Sequence, residues 1–206
     1  MPKTNAFPAP PRTPSNAGAD GRHQRSDRTR NKIVQAMFDL LGQGDLSPSA
    51  VSIAQRAGVG MRTVFRHFDD MDSIYNTMVD QCLFRVMPKV QAPYKATQWR
   101  ERLFECIDRR AEIYEMIFPA KVALSLRRFQ SGFLMDRYQR DVEMLRSSLS
   151  AILPERVTQN ETLFAAIEVT LAFSTWRRLR QDQQLSVAKT KQTLATMVSA
   201  LMALSE

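Results

Sequence analysis

Ser49-Ala-Val-Ser-Ile-Ala-Gln-Arg-Ala-Gly-Val-Gly-Met-Arg-Thr-Val-Phe-Arg-His-Phe68 is the stretch on which the reading of the fold turns. Ala50, Ile53, Ala54 and Ala57 recur at helical spacing and make one buried face, small enough for a second helix to approach closely. That helix opens at Ser47-Pro48 or at Ser49; both caps are permitted, and proline is favourable at a first helical position. Gly58-Val59-Gly60 makes the turn: Gly58 takes a positive φ without steric cost, and Val59 fills the space between the helices. The next helix runs from Met61 to about His67 and stops before Asp69-Asp70. Upstream, Ser26 or Asp27 caps a helix in which Ile33, Ala36, Met37, Leu40 and Leu41 form an apolar stripe, ended by Gly42 and Gly44.

Two short helices joined by a glycine turn, the second one basic, describe a helix-turn-helix. The second helix of such a unit enters the DNA major groove and reads bases from its N-terminal residues. Here those residues are Gly60, Met61, Arg62 and Thr63, followed by Phe65 and Arg66. Arg62 suits a bidentate contact to a guanine edge. Thr63 and His67 suit phosphates, which position a protein without carrying sequence information. With Arg28 and Ser49 these residues make the candidate DNA-contacting set. The plain alternative is a helical corner with two surface arginines.

Working outward, the first 30 residues carry six basic and two acidic side chains, half of the chain's net +8. Residues 1–24 also hold five of the ten prolines and few large apolar groups, which predicts a disordered basic arm. A basic arm before a folded head at 25–70 points to a polyanionic partner. Downstream, residues 61–206 contain a single glycine, Gly132, and four prolines, at 88, 93, 119 and 154. No alternating β-branched runs occur, so the predicted fold class is all-α, with a larger helical domain at 71–206. Its helices are expected at about 70–87, 97–118, a short one after Pro119, 133–152, 161–180 and 186–204.

Composition excludes several classes. The 206 residues show no apolar run near the roughly 18 that a membrane span needs, and no signal-peptide core at the start. Two cysteines, Cys82 and Cys106, read as thiols of a reducing cytoplasm rather than a disulfide framework. His67 with Asp69 and Asp70 lacks a further ligand at helical spacing, so no metal site is expected, and Asp70 has the simpler task of capping a helix. There is no Gly-rich phosphate loop, G-x-S-x-G or H-E-x-x-H, so nothing positive supports catalysis or a cofactor.

Residues 28–82 resemble the TetR family of bacterial transcriptional regulators. The resemblance is carried by Ile33-Val-Gln-Ala-Met-Phe-Asp-Leu-Leu41, by Ile53-Ala-Gln-Arg-Ala-Gly-Val59 and by Thr63-Val-Phe-Arg-His-Phe68. The chain departs from the family where a serine-like cap is Gly60, a phosphate-binding tyrosine is Phe65, and a lysine opening the fourth helix is Met71. Residues 31–70 balance four basic against four acidic groups, so the basic arm at Arg22 to Arg30 is expected to compensate on the phosphates. The resemblance implies a repressor whose operator affinity answers to a small-molecule effector in the helical body. It implies an effector pocket, with Phe84, Trp99, Phe104, Tyr114, Phe133, Tyr138 and Trp176 as candidate lining. Arg127 and Arg128 either meet an anionic ligand or form a solvated pair. The resemblance also implies a homodimer through the last two helices, bound to a near-palindromic double-stranded operator. The departures keep a second reading open, a helical ligand-binding or protein-interaction module with lost or weak DNA binding.

Overall fold

The computed structural model describes residues 20–203, with side chains from residue 23 onward. The expected arm therefore lies outside the described residues up to position 19. Among the described residues the fold is all-α. The head comprises α1 (Asp20–Gly42), α2 (Ala50–Ala57) and α3 (Met61–His67). The body comprises α4 (Met71–Gln91), α5 (Trp99–Arg127), α6 (Gly132–Ser150), α7 (Glu155–Thr158), α8 (Glu161–Thr170), α9 (Phe173–Arg177) and α10 (Val187–Ala203).

The head packs as its pattern dictates. Ile33, Ala36, Met37 and Leu41 are buried, Leu40 is half-buried, and Val34 joins them. They meet Ile53 and Ala54 of α2 and Val64 of α3. Ser49 is the cap of α2: its hydroxyl accepts from the Ser52 N–H at 3.1 Å. Gly58 closes α2 in the left-handed region, at φ 65°, and its N–H donates to the carbonyl oxygens of Ala54 and Gln55. Asp70 and Ser73 cap α4 reciprocally, with each side chain accepting from the other's backbone N–H.

Three expectations about helix ends are corrected. First, α1 starts at Asp20 rather than at Ser26 or Asp27. No proline follows Pro14 before the apolar stripe, so a helix held by that stripe extends backward through polar residues at little cost. Second, Pro88 lies inside α4 and Pro119 inside α5, and neither divides its helix. Buried Val86 precedes the first, and buried Ala120, Val122 and Ala123 follow the second, so packing offsets the missing backbone bond. The segment after Pro119 continues α5 and ends in a 3₁₀ turn at Arg128–Gln130. Third, the helix expected over 161–180 is broken at Leu171–Ala172, between α8 and α9. The Leu171 carbonyl accepts from Arg110 Nη1 at 3.0 Å and from the Tyr114 hydroxyl at 2.9 Å. Two side chains of α5 thus take the acceptor that a continuous helix would use. A π-helical turn, Arg178–Asp182, follows α9.

Two apolar cores result. The body's core joins Leu103, Ile107, Tyr114, Ile167, Trp176 and Val198 with their neighbours. The head's core does not stop at the head: it takes in Ile74, Met78 and Cys82 of α4, Ala120 and Ala123 of α5, and Leu134 of α6.

Candidate functional site

Helix α3, which the sequence puts forward as the reading helix, is held from behind. Val64 and Phe68 are buried, and Arg30 of α1 fastens the helix's end. Its Nη1 donates to the His67 carbonyl at 2.6 Å, its Nη2 donates to Thr77 Oγ1 at 2.8 Å, and the guanidinium lies 4.2 Å from the Phe68 ring centroid. Arg30 is therefore a clamp between α1, α3 and α4 rather than part of a basic arm. The sequence carries no local sign of this, because both partners lie about 40 residues away.

On the other side, Met61, Arg62, Phe65 and Arg66 are exposed. Met61 and Phe65 share one line along the helix, and Arg62 and Arg66 the next, since positions four apart stand one above the other. Gly60 is an exposed, extended N-cap with no side chain to bond α3. Thr63 and His67 are half-buried. Burial pushes the His67 imidazole below its ordinary range, and the neighbouring Arg66 and Arg30 charges add to this, which disfavours its charged form. Ser49 and Arg28 are exposed, Arg28 two residues before the clamp. Asp70 is spent on its cap, which leaves Asp69 as the exposed carboxylate before α4 not used in that way.

The body contains a cleft among α4, α5 and α6 that opens to solvent; the space between its walls, open solvent included, is about 650 Å³. Val79, Val86, Ile113, Ile117 and Met144 supply much of its apolar wall. Its polar lining includes Arg110, Tyr114, Lys121 and Asp141, with Lys121 Nζ 3.3 Å from Asp141 Oδ2. Burial pushes the Cys82 thiol, also on the wall, up to about 11. A smaller, open hollow adjoins it and shares Val79, Lys121, Leu124 and Asp141.

Most of the aromatic residues expected to line a pocket stand elsewhere. Only Tyr114 of the seven lines the larger cleft, and Tyr138 lines the smaller hollow. Trp176 is fully buried in the body's core, its ring 6.3 Å from Tyr114. Trp99 is half-buried at the start of α5, while Phe84, Phe104 and Phe133 are exposed, Phe84 at 70%. Aromatic content alone does not say which side of a helix faces inward, and the cleft wall proves to be mainly aliphatic. Arg127 and Arg128 lie outside it too: Arg127 pairs with Asp72 at 3.1 Å, and Arg128 stacks on Tyr138 at 3.7 Å.

Arg110 was legible but missed. Leu103, Cys106, Ile107, Arg110, Ala111 and Tyr114 follow the helical repeat, which puts an arginine in the middle of a buried stripe.

Among the described residues no group of three or more His, Cys, Asp or Glu is placed to hold a metal ion, and no helix is long and apolar enough to cross a membrane.

No protein-family model matches the chain. Solved structures do resemble it. A transcriptional regulator from Rhodococcus sp. Rha1 superposes with a TM-score of 0.68 at 17% identity, over 84% of this chain and 96% of that one. A TetR transcription regulator from Haloarcula marismortui gives 0.65 at 17% identity, over 84% and 98%. A TetR-like transcriptional regulator from Rhodococcus sp. RHA1 gives 0.65 at 14% identity, over 87% and 96%. The fold is thus that of TetR-type regulators over more than four fifths of the chain.

Proposed function

We propose that this protein is a dimeric DNA-binding transcriptional regulator, acting as a repressor, whose operator affinity is set by a small molecule held in the cleft of α4, α5 and α6. The observation that carries the reading is the exposed face of α3, where Arg62 and Arg66 stand beside Met61 and Phe65 on a helix locked from behind. Arg62 reads a base edge, Arg66 and Arg28 meet phosphates, and the apolar pair packs on thymine methyls or sugar. A lone surface corner gives no reason for an arginine clamp on the helix that exposes these groups.

Regulation follows from where the cleft lies. Val79, Val86 and Val90 of its wall belong to α4, the same helix whose N-cap adjoins α3. The pairs Arg127–Asp72 and Arg137–Asp80 tie α4 to α5 and α6. A ligand that fits one position of α4 better than another shifts the population of head spacings by its difference in affinity for the two. Exposed Val169 of α8 and Met197 of α10 support a two-fold dimer through these helices. Such a dimer puts two copies of α3 about one DNA turn apart, on a near-palindrome.

The test is selection from random duplex DNA with the full-length protein and with Arg62→Ala. The expected outcome is a palindromic site for the native chain, with specificity relaxed at one base pair of each half-site in the variant and affinity down by about 1–3 kcal/mol. No enriched site at any salt concentration would overturn the reading.

A further inference from the structure

Arg110 occupies a core position on α5 and is 6% exposed. Its guanidinium donates to two neutral carbonyls, those of Leu171 at 3.0 Å and Leu145 at 3.2 Å, and the neutral side chains of Cys106 and Tyr114 stand beside it. Several charged side chains that link α4, α5, α6 and the π turn are paired: Lys121 with Asp141, Arg127 with Asp72, Arg137 with Asp80, and Arg180 with Glu115. Arg109, which donates to the Val90 and Pro93 carbonyls, is only half-buried. Among the described residues no ion pair joins Arg110 to a carboxylate. A buried guanidinium whose partners are all neutral keeps unused N–H donors and a charge that no carboxylate compensates. This one lines an apolar cleft whose only other charges among the described residues, Lys121 and Asp141, neutralise each other. The cleft therefore carries one cation in excess.

We propose that the cleft between α4, α5 and α6 takes a small apolar molecule bearing a carboxylate, which the Arg110 guanidinium receives. The inference rests on the reading of the cleft as a ligand site and names the chemical class that fits it. The aliphatic wall receives the ligand's body. The carbonyls of Leu145 and Leu171 hold the guanidinium in place beforehand, so little side-chain freedom is lost when the anion arrives. A charge-assisted bond at a buried site is stronger than one between neutral groups, so a neutral analogue of the same shape binds less well.

The test is calorimetric titration of the full-length protein without DNA. The probes are octanoate and 2-naphthoate, each against its matched alcohol, with octyltrimethylammonium as a cation. The expected result is that at least one acid binds one per chain, about tenfold or more tighter than its alcohol. Arg110→Gln should abolish that preference while the alcohol's affinity stays. Because Arg110 also braces Leu171, the variant's fold is checked by its circular dichroism melt; the native acid-to-alcohol ratio carries the test if it fails. Leu83→Trp, which fills the cleft wall, should weaken acid and alcohol together. Equal affinity for acid and alcohol, preference for the cation, or binding of none of the probes would overturn the proposal. Acid binding that leaves DNA affinity unchanged would overturn the effector reading and leave the anion site standing.

Discussion

Glu115 ties the break in the last third of the chain to the middle of α5. Its carboxylate accepts from Trp176 Nε1 at 2.9 Å and from Arg180 Nε and Nη2 at 2.8 and 3.1 Å. Burial alone would raise its pKa; the hydrogen bonds from Arg180 and Trp176, with the Arg180 charge, outweigh that and hold it below the ordinary range. A depressed carboxylate stabilises the fold fully above its unfolded value, about 4.3, and stops doing so as the pH falls through its folded value. Glu115→Gln should therefore lower stability at pH 7 by about 1 kcal/mol, after discount for its partial exposure. The difference between the two proteins should vanish as the pH drops from 5 toward 3. Urea titrations at a series of pH values check this, and a gap that persists undiminished at pH 3 would sink it.

At the scale of the element, the turn before α3 makes two neighbouring glycines behave oppositely. A Cβ at Gly58 meets nothing within 4 Å, so Gly58→Ala suffers only from the left-handed backbone and should cost about 1 kcal/mol. Gly60 has an ordinary extended backbone and equally open space, and α3 lacks a side-chain cap. Gly60→Ser should stabilise by a few tenths of a kcal/mol, read as a rise in melting temperature. The turn was legible in the sequence because its signals lie within a few residues: a serine cap, small apolar positions and a glycine that needs a positive φ. The helix ends in the body were less so. A proline's local cost is visible at Pro88 and Pro119, but the packing that offsets it comes from other helices. The break at Leu171 has no local sign, since Arg110 and Tyr114 that cause it stand about 60 residues earlier. The same non-locality hid the clamp role of Arg30 and led five of the seven aromatic residues, all but Tyr114 and Tyr138, to be grouped where the cleft is not.

At the scale of the molecule, the distribution of charge gives a prediction about salt. Residues 1–19 contribute only Lys3 and Arg12, while Arg28 lies on the described, exposed part of α1. If the arm follows the phosphates, deleting residues 1–19 should reduce the slope of log affinity against log salt by no more than about 2, and Arg28→Ala by about 1. Filter binding at several salt concentrations measures both, and slopes unchanged by either alteration would show that the basic N-terminus does not touch DNA. The continuous core has a consequence of another kind. Ala120, Ala123 and Leu134 belong to the same apolar cluster as Ile33 and Val64. The head is therefore not an interchangeable part: grafted onto a different body, or made alone, it would lack a wall of its own interior. Any hybrid that is to keep the head's packing has to carry α4 and the facing turns of α5 and α6 along with α1, α2 and α3.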